Sequence, residues 1–167
     1  MIRIFITLVL LFFPFASIAQ QTSINIHGTL FDCTAHNGQL VPIFVDPQSA
    51  SAAAQLGGAR VDWVPSFGWR MSLNIPMLNQ APPRSAVMVF FHECGHVALP
   101  VGVGTNSPLQ EINADCWSVQ NMVAGGYIQN MAHFQEAVQY VLQIGGMNGF
   151  TQYRIAAMQQ CLPPWIQ

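Results

Sequence analysis

Arg84-Ser85-Ala86-Val87-Met88-Val89-Phe90-Phe91-His92-Glu93-Cys94-Gly95-His96-Val97-Ala98-Leu99 is a largely apolar run with two histidines towards its end. Pro82-Pro83 stand before it and Pro100 after it, so it reads as one apolar helix with its ends set by proline. On that helix His92 and His96 lie one turn apart and project from the same face, where both imidazoles can bind one metal ion. Glu93, beside the first of them, can reach a water on that metal and take its proton. H-E-x-x-H also arises by chance in helices. Its meaning therefore rests on whether the chain supplies a third ligand and a partner for a ligating histidine.

The residues after His96 discriminate. A metzincin requires Gly three positions and His six positions after the second ligand, and here those positions are Leu99 and Gly102. The alternative is a Glu from a following helix, and Glu111-Ile112-Asn113-Ala114-Asp115 offers one. Ser107-Pro108-Leu109-Gln110 opens that helix with a capping box and Pro in the first turn. The short Gly-containing connection from Leu99 favours an antiparallel pair, which brings Glu111 beside His96. Asp115 lies one turn further on the same face, where a carboxylate can accept the free ring N–H of a ligating histidine. By itself, Glu111 also reads as an ordinary first-turn Glu that favours the helix dipole.

Together, His92-Glu93-Cys94-Gly95-His96 and Glu111-Ile112-Asn113-Ala114-Asp115 resemble the gluzincin clan of zinc metallopeptidases. The E-x-x-A-D form is similar to that of the prenyl-protein endopeptidase family and its small secreted bacterial relatives. The resemblance spans residues 60–161 and is specific only at the two motifs. It implies His92, His96 and Glu111 as zinc ligands, Glu93 as general base, and Asp115 as the partner of a ligand histidine. It also implies that the strand before the metal helix, here Arg70 to Ile75, pairs with an extended substrate. A His-Pro pair that often precedes Arg-Ile on the last helix of that family is absent, although Arg154-Ile155 is present. Arg154 is therefore open to three readings: support of the site, stabilisation of an oxyanion as a catalytic residue, or a structural arginine. Tyr153 is expected in the core. His27 and His36 are expected on the surface, in a strand and in a turn. His133 is expected on a helix surface and is the reserve candidate for the oxyanion role.

Composition bounds the setting. The chain of 167 residues has no lysine, five arginines and seven acids. Met1-Ile2-Arg3, an apolar run from Ile4 to Ala16 and Ser17-Ile18-Ala19 read as a signal peptide cleaved after Ala19. That apolar run is shorter than the ~18 residues a membrane span needs. Residues 20–167 are then expected to form a single domain, periplasmic or extracellular. Four arginines against seven acids leave it at −3 with His neutral, and no basic patch exists to hold nucleic acid. Four cysteines in an exported chain suit disulfides, with three pairings open. We expect Cys116–Cys161, and Cys33–Cys94 beside it. Cys94 sits two residues from His92, about 200° round the helix, which favours a core or disulfide role over metal ligation.

The fold class expected is α+β, a small N-terminal sheet followed by a helical subdomain, with the zinc site between the H-E-x-x-H helix and the Glu helix. Ile24 to Leu30 alternates like a half-buried strand and Leu40 to Val45 is a short second one. Asp46 caps an Ala-rich helix ending at Gly57-Gly58. Val61 to Val64 and Trp69 to Ile75 read as a hairpin. Further helices are expected from Met131 to Ile144 and, capped by Thr151, from Gln152 to Cys161. The function expected is zinc-dependent hydrolysis of peptide bonds by a monomer with no membrane attachment after signal cleavage. The competing expectations are a secreted zinc-binding effector or binding module without proteolytic activity, and a metal-free disulfide-bonded structural domain.

Overall fold

The structure is a computed structural model that describes residues 20–100, 107–145 and 152–167. The expected signal peptide, Gly102 and the Thr151 cap lie outside the described residues.

Strands β1 (Ser23–Ile26) and β2 (Thr29–Asp32) form an antiparallel hairpin. The single strand expected from Ile24 to Leu30 is thus two. His27 and Gly28 both take positive φ, 49° and 84°, the backbone of a two-residue turn that matches strand twist. The Asn25 side chain fixes the turn by accepting the Gly28 N–H at 2.8 Å.

Strand β3 (Ile43–Phe44) leads into helix α1 (Pro47–Ala54), whose N-cap Asp46 accepts from the amides of Gln48 and Ser49. Strands β4 (Ala59–Val64) and β5 (Gly68–Leu73) are the expected hairpin. Two corrections follow. Strand β5 ends at Leu73, because Asn74 caps a short helix α2 (Ile75–Gln80) by accepting the Met77 N–H at 3.0 Å. Strand β5 is also central, with β3 parallel on one side and β4 antiparallel on the other. The strand at the edge beside the helix that carries His92 is therefore β4, not the Arg70–Ile75 segment. Among the described residues the strands form two separate small sheets rather than one.

Helices α3 (Pro83–Ala98), α4 (Pro108–Ala124), α5 (Met131–Gly145) and α6 (Gln152–Gln160) complete the chain. This is a mixed α+β fold with helix α3 at its centre. An unbroken run from Ser85 to Phe90 is buried, because α3 packs on α4, α5, β1 and β4 at once. Phe31 from the first sheet stacks on Phe90 and Phe91 at centroid distances of 5.3 and 5.7 Å. Phe91 in turn meets Trp117 of α4 at 6.0 Å. Each such ring buried contributes roughly 1.5–3 kcal/mol, so the helix that carries the motif is also the most firmly held element.

Two disulfides close the structure, Cys33–Cys94 and Cys116–Cys161, with Cα separations of 5.6 and 5.4 Å. In the chain-entropy account each loop closure stabilises the fold by about 4 kcal/mol. Two such bonds suit an oxidising, exported environment. Among the described residues no helix is long and apolar enough to cross a membrane.

The approach of α4 to α3 depends on Gly95. A Cβ there would lie 3.0 Å from both the Cα and the carbonyl oxygen of Ala114, which are backbone atoms that cannot swing aside. Gly95→Ala is predicted to lower stability by about 1–3 kcal/mol, read from the urea midpoint. An unchanged midpoint would contradict this helix contact.

Candidate metal centre

Helix α3 presents His92 and His96 one turn apart, and their Nε2 atoms lie 3.1 Å from each other. Helix α4 supplies the third group. Ser107 and Gln110 make the reciprocal capping box, so the helix begins at Pro108 and Glu111 falls in its first turn. The Glu111 oxygens stand 3.4 Å from His92 Nε2 and 3.5 Å from His96 Nε2. One donor atom from each of these residues lies within 4.8 Å of the others, a group able to hold a metal ion.

A carboxylate behind His92 orients it. Asp115 Oδ1 lies 2.8 Å from His92 Nδ1, so Nδ1 faces the carboxylate and Nε2 faces the cluster. Asp115 is 1% exposed, and a buried carboxylate is costly unless fully paired. Its second partner is Arg154 of α6, whose Nε and terminal nitrogen donate to the two Asp115 oxygens at 2.7 Å each. The same guanidinium reaches Glu111 at 3.2 Å. The Arg154 guanidinium thus contacts two carboxylates of the cluster.

Glu93 follows His92 on α3, and its Oε2 accepts the Val61 N–H of β4 at 3.0 Å. The edge strand therefore runs directly past the candidate base. No sequence signal announces this contact, since a backbone amide looks alike at every position.

The electrostatics follow from the crowding. Burial lowers the His92 pKa, but the contacts to Asp115 and Glu111 and the charges of Asp115 and Glu93 outweigh it and push the imidazole up to about 10. Burial and the neighbouring His92 charge push His96 down to about 4. Burial raises the Glu93 carboxyl above its ordinary value; the His92 charge opposes this and the Glu111 charge adds to it. Burial also raises Glu111, but the two histidines and Arg154 prevail and hold it near 2.

The other expected residues are elsewhere. His133 is not in the metal-capable group; its backbone N–H donates to Asn130 at the start of α5. His27 occupies the β1–β2 turn, where its Nε2 lies 3.2 and 3.0 Å from the carbonyls of Leu78 and Ala81. His36 is exposed in a loop. Tyr153 is 68% exposed and not the core residue expected, since it lies on the outer side of a short, mostly polar helix. Cys94 is buried in its disulfide, away from the cluster.

The donor set fits a divalent ion: two imidazole nitrogens and a carboxylate, one imidazole oriented by a carboxylate behind it. Comparison with models of protein families, with curated proteins and with solved structures finds no match. The reading of the site therefore rests on its geometry.

Asp115→Asn is predicted to weaken metal binding about 10- to 100-fold, measured by chelator competition. It should also change the metal-free pH profile. His92 titrates near 10 in the folded chain against 6.5 ordinarily, so it binds its proton more tightly when folded. Its stabilisation is fully present below pH 6.5 and is lost as pH rises towards about 10. The wild type should lose urea stability across that window, and Asp115→Asn should lose less. Parallel profiles would contradict the Asp115–His92 pairing.

Proposed function

We propose that this protein is a zinc-dependent peptidase acting outside the cytoplasm. The observation that carries the reading is the convergence of His92, His96 and Glu111 with Glu93 one residue from the first of them. Zinc bound by three protein groups keeps a fourth position for water, lowers that water's pKa to about 7 and polarises a carbonyl.

His92 and His96 would offer their Nε2 lone pairs, and Glu111 one carboxylate oxygen. Asp115 holds the proton on His92 Nδ1, and Arg154 holds Asp115. Glu93 acts as general base and then general acid, taking a proton from the attacking water and returning it to the leaving amine. Its raised pKa makes it a stronger proton acceptor than an ordinary carboxylate. The Val61 N–H fixes which way the Glu93 carboxylate faces.

The same kind of donor set, two histidines and a carboxylate, also serves iron(II) oxygen chemistry. A half-buried carboxylate placed as a base beside the cluster favours hydrolysis over that use. The substrate in this reading is a peptide or protein.

Glu93→Gln is the direct test. The variant should retain stoichiometric zinc while cleavage of a broad peptide library falls by about 10²- to 10⁴-fold. Cleavage at the wild-type rate would remove Glu93 from the mechanism. A wild type that binds zinc tightly and cleaves nothing would leave a zinc-binding module in place of an enzyme.

A further inference from the structure

Helix α6 is attached to α4 at two points on the same side. Arg154 reaches Asp115 and Glu111, and Cys161, just past the end of α6, is bonded to Cys116. Arg154 and Cys161 are seven positions apart, about two helical turns, and so face the same way. On α4 the matching residues, Asp115 and Cys116, are neighbours. Apolar packing of α6 itself comes from buried Met158 and partly buried Ile155. Leu162 and Ile166 are buried beyond it.

The two disulfides also differ in access. Cys33 and Cys94 are 1% and 2% exposed, whereas Cys116 and Cys161 are both partly exposed. The second bond is therefore the more open of the two to a small thiolate.

We infer that the Cys116–Cys161 disulfide is a redox-sensitive brace that holds Arg154 against Asp115 and Glu111 and thereby sets how tightly the site binds metal. The inference rests on the reading that His92, His96 and Glu111 hold a metal. The step is a two-electron reduction by a dithiol. Its thiolate attacks one sulfur, the mixed disulfide is resolved by its second thiol, and the protein gains two thiols as the reductant leaves as a cyclic disulfide. With the cross-link gone, Arg154 meets Asp115 only as often as the untethered helix allows. Asp115 then orients His92 less firmly, and metal affinity falls. Arg154 acts as a positioning residue, through Asp115 and Glu111, and does not touch the reacting atoms.

The test is a cycle of zinc affinities on the full chain, read by competition with a chromophoric chelator. Arg154→Met and the double variant Cys116→Ser/Cys161→Ser should each bind zinc about 10-fold or more weakly than the oxidised wild type. Combined, they should lose little more than either alone, because both act through one contact. Arg154→Lys, which keeps a charge but not the two-pronged geometry, should fall between wild type and Arg154→Met. Should the serine variant fold poorly, wild type mildly reduced by dithiothreitol, alkylated and desalted replaces it, with mass spectrometry showing Cys33–Cys94 intact. Equal affinity with and without the bond, or losses that simply add, overturns the inference while leaving the metal site standing. An oxidised wild type that binds no zinc overturns both.

Discussion

The carboxylate of Asp115 is buried where three helices meet. Removed from water, it must be satisfied by protein, and its partners come from two different helices: His92 of α3 and Arg154 of α6. A buried ion pair of this kind adds little net stability but is expensive to leave half-made. It therefore specifies an arrangement, with three helices meeting at one atom group. The histidine that results has its Nδ1 occupied and its Nε2 directed at the remaining donors, as a metal ligand needs.

Packing delivers the rest of that arrangement. Gly95 lets the backbone of α4 come against α3 at Ala114, and the capping box at Ser107 starts α4 where Glu111 faces His92 and His96. Cys33–Cys94 fastens the opposite side of α3 to the segment that follows the first hairpin. The motif helix is thus held on every side before any ligand is considered, and the donors inherit that rigidity. Glu93 is the exception in kind, since its orientation comes from the edge strand through Val61 rather than from helix packing.

How much of this could be read in advance follows from the range of each interaction. The ends of α3 are marked by Pro82-Pro83 and Pro100, and α4 by Ser107-Pro108 with Gln110, because caps and prolines act within a few residues. His92, His96 and Glu111 could be brought together for the same reason: two helices and a short connection leave few arrangements. The β1–β2 turn was hidden because alternation continues through His27-Gly28, and only the positive φ at both residues breaks the strand. Helix α2 was hidden because the strand pattern runs through Asn74 to Ile75, although Asn74 with Pro76 is a helix start. The central position of β5 and the Arg154–Asp115 pair were not legible at all. Strand partners, and an ion pair between residues 39 apart, are chosen by the assembled fold.

If three side chains from two helices form one metal site oriented through Asp115, a crystal grown with zinc will show it in an anomalous-difference map collected on either side of the zinc edge. One zinc peak is expected, bonded to His92 Nε2, His96 Nε2 and a Glu111 oxygen, with His92 Nδ1 still on Asp115. No peak at that position, or a peak held by other residues with Asp115 turned away from His92, would contradict it.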